Sequence, residues 1–203
     1  MDRLEPFKNH KGFVIPLDRA NVDTDQIIPK QFLKLIQKSG YGKYLFFDWR
    51  FDADGNERPE FILNNPAYND ASILLTRGNF GCGSSREHAV WALVDYGFKA
   101  IIGEKPFADI FHNNCIRNGL LPITLSDPEI DTIFNELSSK PGYELEIDLE
   151  HQTVTRPSGE KHYFEIDAYG KNMLLEGLDE IGMTLEYSKK IDEFEAKIAG
   201  RVS

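Results

Sequence analysis

The sequence predicts an α/β fold organised around a β-α-β-α-β unit, and three observations carry that prediction. Ala71–Thr76, Lys99–Gly103 and Leu120–Ile123 are short, largely apolar runs of the kind that form strands buried on both faces. Between them, Ala89–Tyr96 and Pro106–Asn118 read as helices stopped by Gly97 and Gly119, the second with Phe107, Ile110, Phe111 and Cys115 on one face. The stretch from Gly78 to His88 joins the first strand to the first helix and is rich in glycine and serine. Such units give parallel strands with right-handed crossovers, and ligands bind beyond the carboxyl ends of those strands.

The flanking elements follow in order. Gly12–Leu17 reads as a first strand, with Pro16 placing its end near an edge, and Asn21–Asp25 as a polar tip. Asp23 and Asp25 suit either Asx-turns or a site. From Gln26 to Arg50 the chain is locally basic; Lys30, Lys34 and Lys38 fall at helical spacing, as a solvated face or a steering patch would place them. Ser39–Gly42 has the glycines of a hinged loop. Asp127–Ser139 predicts a helix with Asp127 as N-cap and Pro128 at the first position. Period-two alternation over 143–149, 152–155 and 162–166 predicts an antiparallel meander, with His151 and His162 on its wet face. From Ala168 onward the chain reads as helical, ending in a charged amphipathic segment around Lys189–Lys197. The whole, 1–203, reads as one domain.

Composition excludes several classes. With 33 acidic and 23 basic residues, a net charge of −10, the chain does not suit nucleic acid. No apolar run is long enough for a membrane span and Met1–Pro6 has no signal-peptide character, so a cytoplasmic protein is expected. Two cysteines, Cys82 and Cys115, cannot hold an iron–sulfur cluster by themselves, and no zinc spacing is present, so no metal is expected on this chain. Cys82 suits a turn-filling residue better than a reactive thiol.

The glycine-rich stretch carries the chemistry. Gly78, Gly81 and Gly83 allow positive φ and close approach of a ligand, and Ser84 and Ser85 are natural N-caps beside the unpaired N–H groups of a helix start. Arg86 adds a fork able to clamp a carboxylate. A tight turn with a good cap would have the same pattern; the convergence of two hydroxyls, a guanidinium and free N–H groups favours an anion site.

GCGSSREHA at Gly81–Ala89, NVDTDQIIPK at Asn21–Lys30 and FADIFHNNCIRNGLLPI at Phe107–Ile123 together resemble the swivelling domain of the aconitase superfamily, in its branch of isopropylmalate isomerase small subunits. The resemblance implies a three-layer β/β/α domain, active in dehydrating 2-isopropylmalate and rehydrating it as 3-isopropylmalate, a hydro-lyase step of leucine biosynthesis. It implies a large-subunit partner bearing a [4Fe–4S] cluster. It makes Ser84 the base that takes the α-proton, Ser85 and Arg86 the holders of substrate carboxylate, and Thr24 and Asp25 residues lining the same site. Cys82 and Gln26 stand where aconitase itself has Glu and His. The loop 31–42 is implied to select substrate, with Leu33, Leu35 and Ile36 as apolar contacts or as core.

Other readings remain beside this one. A sister hydro-lyase subunit, acting on methylmalate or homoaconitate, would share the motifs near Ser84. A serine hydrolase would need a base, and His88 and His112 are not evidently placed as one. An anion-binding module would need no partner.

Overall fold

The computed structural model describes residues 4–33, 39–83, 86–104, 106–140 and 142–178. Seven strands, β1 (Asn9–Leu17), β2 (Ala71–Thr76), β3 (Ala100–Gly103), β4 (Leu121–Thr124), β5 (Glu144–Asp148), β6 (Thr153–Thr155) and β7 (Lys161–Tyr163), form one sheet in the order β4-β3-β2-β1-β5-β6-β7. Strands β1 to β4 run parallel and β5 to β7 antiparallel. The helices are α1 (Thr24–Ile27), α2 (Phe47–Arg50), α3 (Glu87–Tyr96), α4 (Asp109–Arg117), α5 (Asp127–Ser139) and α6 (Ala168–Glu176). The predicted β-α-β-α-β unit is β2-α3-β3-α4-β4, and the predicted meander is β5-β6-β7.

Alternation along the parallel strands splits the core in two. Ile73, Leu75, Ile102 and Ile123 point to one face, where they meet Leu145, Ile147 and Val154 of the meander and Ile130 and Ile133 of α5. Ile15, Leu74 and Ile101 point to the other, against Val90 and Leu93 of α3 and Phe111 and Cys115 of α4. The sheet therefore curls so that its meander covers one face of its parallel half while helices cover the other, the β/β/α layering expected. Burial on both faces is why these strands are apolar throughout rather than alternating.

Several local expectations need correction. Helix α3 starts at Glu87 with Arg86 in the N-cap position, so neither Ser84 nor Ser85 is the cap; both lie outside the described residues. Helix α5 is capped by Ser126, whose side chain and Glu129 form a capping box, which moves Asp127 to the first helical position. Helix α4 is shorter than Pro106–Asn118, and Ile110 is 56% exposed instead of sharing the buried face of Phe111 and Cys115. His162 is buried, its Nδ1 2.8 Å from Glu129 Oε1, because β7 turns that side toward α5; His151 is exposed as expected. Lys34, Lys38 and the charged segment 189–197 lie outside the described residues.

His10 on β1 yields a pH prediction. Its Nε2 lies 2.7 Å from Ser72 Oγ, and burial, assisted by the Lys99 charge, pushes its pKa down. The unfolded chain then binds a proton more readily than the folded one, so stability falls as pH drops below the ordinary histidine value of about 6.5. The thermal midpoint of the wild type is expected to drop more between pH 7.5 and 5.5 than that of His10→Gln. Equal drops would show that His10 does not contribute.

Candidate active site

The parallel ladder of β1 and β2 does not stop at Leu17 and Thr76. Four further backbone bonds lace the segment after β1 to the segment after β2: Arg77 N–H donates to Arg19 O (3.3 Å), Asn21 N–H to Gly78 O (3.0 Å), Gly81 N–H to Val22 O (2.7 Å) and Thr24 N–H to Cys82 O (3.0 Å). The Asn79 carboxamide donates to Asn21 Oδ1 at 2.8 Å. The two polar tips separated in the sequence are thus one structure at the carboxyl ends of adjacent parallel strands.

The turns in this lace require left-handed backbone. Asn21, Asn79, Gly81 and Gly83 have φ of 57°, 63°, 75° and 92°; Gly78, expected among them, does not. Gly81 is doubly constrained, since a Cβ there would lie 2.3–2.6 Å from carbons of the Phe111 ring. The base of the turn is braced from β3: Glu104 accepts from Gly78 N–H at 3.0 Å and pairs with Arg77, which also pairs with Asp18 and Asp131 and lies 4.2 Å over the Phe134 ring. Burial opposes the Arg77 charge, but the bonds to Asp18 and Asp131 outweigh it and hold the guanidinium protonated. Neither Arg77 nor Glu104 announces itself in sequence, since their partners are 26 to 59 residues away.

The two aspartates of the first tip divide their work. Asp23 is the N-cap of α1, accepting from Gln26 N–H at 2.8 Å while Gln26 Oε1 accepts from Asp23 N–H at 2.9 Å, a capping box that makes both residues structural. Asp25 forms an ion pair with Arg86 and another with Lys30 at 3.3 Å. Sequence reasoning thus named three residues, Thr24, Asp25 and Arg86, that the fold brings together.

Arg86, Thr24, Gly81 and Gly83 line a half-open cavity of about 250 Å³ whose opposite wall is the start of α4, with Ala108, Asp109, Ile110, Phe111 and Asn114. That wall was missed as a site component, although it lies in one of the three motifs. It also explains the exposure of Ile110, which faces an opening and not a neighbouring element.

Other site residues fall elsewhere. Leu33 is half-buried against the helical-side core and does not line this cavity; Leu35 and Ile36 lie outside the described residues. The near end of the supposed hinge is fixed, because Asp95 at the end of α3 accepts from both Gly40 N–H (3.0 Å) and Gly42 N–H (2.7 Å), and Tyr41 is buried edge-on to His88. His88 also packs on Trp91, with burial lowering its pKa, so its ring belongs to an aromatic cluster. Burial, helped by Asp23, raises the Cys82 thiol, which fits a turn-filling residue; burial raises Cys115 as well. Among the described residues no three His, Cys, Asp or Glu side chains group as metal ligands.

Comparison with known proteins bears on this arrangement. The aconitase C-terminal domain model matches residues 4–128 and the LeuD_N model residues 131–168. The chain is 56% identical over 194 residues to the 3-isopropylmalate dehydratase small subunit of Brevibacillus brevis, covering 96% of this chain and 100% of that one. It is 54% identical over 203 residues to the small subunit of the same name from Aromatoleum aromaticum, covering 96% and 95%. The crystal structure of 3-isopropylmalate dehydratase from Methanocaldococcus jannaschii matches with a TM-score of 0.62 at 28% identity, covering 93% of this chain and 98% of that one. The architecture, the laced tips and these matches together establish that the chain belongs to the aconitase C-terminal domain family, in its branch of 3-isopropylmalate dehydratase small subunits.

Proposed function

We propose that this chain is the small subunit of a cytoplasmic hydro-lyase that converts 2-isopropylmalate to 3-isopropylmalate in leucine biosynthesis, working against a large subunit that completes the site. The observation that carries the reading is the half-open cavity in which Arg86, ion-paired to Asp25, faces the start of α4. Closed small-molecule sites usually measure about 300–1,000 Å³. A cavity of about 250 Å³ that is open on one side suits half of a site between two chains.

In this reading Arg86 and Ser85 hold a substrate carboxylate, and Thr24 and Asp25 line the same space. The Asp25 carboxylate on Arg86 marks where a substrate carboxylate would bind, and Lys30, paired to the same carboxylate, gives this trio a net positive charge. Ser84, set between Gly83 and Arg86, takes the α-proton as the hydroxyl leaves and returns it on rehydration. The partner's [4Fe–4S] cluster, when bound, supplies a Lewis acid for the hydroxyl. Donor chemistry supports placing that cluster on the partner, since burial raises both thiols here and Cys115 is enclosed in the core. Selection of the substrate's variable branch falls to loop 31–42, with Leu33, Leu35 and Ile36 as its apolar contacts, Leu33 standing half-buried against the helical-side core.

The test is to mix the chain anaerobically with a cluster-loaded large subunit and follow the alkene formed from 2-isopropylmalate. Turnover is expected only with both chains present. Turnover by this chain alone would refute the shared site; preference for methylmalate or homoaconitate would reassign it to a sister reaction.

A further inference from the structure

The Arg86 cavity contains a polar side chain that neither the fold nor the proposed proton transfer uses. Asn114, on α4 one turn beyond Ile110, is 8% exposed and lines the cavity with Arg86 and Thr24. Among the described residues nothing hydrogen-bonds its carboxamide, while its backbone carbonyl accepts from the Asn118 side chain at 2.8 Å and from the Asn118 N–H at 3.2 Å. The contrast with Asn118 is direct. That carboxamide accepts from Trp91 Nε1 at 3.0 Å and donates to Glu87 at 2.9 Å, a full structural use.

Asparagine is a poor residue for a helix interior, and this amide makes no hydrogen bond to any described residue, so bonding within the fold does not account for it. The chemistry of the cavity does. A carboxamide offers two N–H donors and one carbonyl acceptor, and here it faces the space served by a guanidinium suited to carboxylates.

We propose that Asn114 is a substrate-binding residue, whose N–H donates to an oxygen of the dicarboxylate that Arg86 holds. The proposal rests on the dehydratase reading and extends the site from the glycine turn to α4. It assigns Asn114 a role in binding and none in proton transfer, so its loss should act on KM and leave kcat little changed.

The experiment uses the enzyme assembled from both chains, with Asn114→Ala and the isosteric Asn114→Asp. KM for 2-isopropylmalate is expected to rise roughly 10-fold or more in each, as for loss of a hydrogen bond to a charged group, and further in Asn114→Asp, where like charges meet. The kcat should stay within about threefold, and the thermal midpoint of the small subunit should not fall, since no internal bond is lost. KM within twofold of wild type in both variants would overturn the proposal. So would a lowered thermal midpoint with kcat and KM changing together, which would make the residue structural. An inactive wild-type pair would overturn the dehydratase reading and this proposal with it, whereas an active pair with unaffected variants overturns this proposal alone.

Discussion

Replacing Ser84 with alanine is expected to lower kcat of the assembled enzyme by about 10²–10⁴, the usual contribution of a positioned proton-transfer group, while KM moves less than threefold. A serine hydroxyl is a weak base, and its alkoxide needs stabilisation. The N-terminus of α3 supplies about 0.3–1 kcal/mol, or ~2 when partly buried. At about 1.36 kcal/mol per pKa unit, that moves the hydroxyl by little more than one unit. Arg86, the N-cap residue of α3, brings a guanidinium near the same helix end, its charge shared with Asp25. Water exclusion on closure against the partner has to supply the rest. The division between kcat and KM is the deciding measurement: unchanged turnover in Ser84→Ala would remove Ser84 as the base and leave the turn as a carboxylate cradle.

Gly81→Ala is expected to be the most damaging single-methyl change at the site. A residue other than glycine at φ 75° costs about 1–2 kcal/mol, and forcing the Phe111 ring away from a Cβ costs a further ~1–3 kcal/mol. Together these predict a loss of about 2–5 kcal/mol, or roughly 5–15 °C in thermal midpoint for a chain of this size. The ring cannot easily give way, because Phe111 is buried and meets Phe80 and Phe107 at centroid distances of 5.7 and 5.9 Å. The two causes can be separated: Gly81→Ala combined with Phe111→Leu should recover the steric part and leave the backbone part. If the double variant is no better than the sum of its singles, the ring contact is not the cause.

The fold was legible where burial is two-sided, because a strand covered on both faces is written as an uninterrupted apolar run, and β2, β3 and β4 are such runs. Helix ends were less legible. Ser126 and Asp127 are both good caps, and choosing between them depends on where Glu129 reaches, a matter of three-dimensional geometry. In the site, Thr24, Asp25 and Arg86 were readable because their types declare their chemistry, and the resemblance placed them together. Asp23 was ambiguous until its capping box with Gln26 was seen. Asn114 and Ile110 were not readable: a polar residue at a buried helical position and an apolar one at an exposed position become informative only once the cavity between them and the glycine turn exists. The Asp95 clamp joins residues more than 50 positions apart and leaves no local signal.

The lacing of 19–24 to 77–82 limits how such a chain can change length over generations. Inserting or deleting one residue in either segment would slide it by about 3.3 Å against the other and part Asp25 from Arg86. A change of length is therefore not tolerable within either laced segment. A scaffold built this way has to vary outside the two laced segments if its tips are to stay in step.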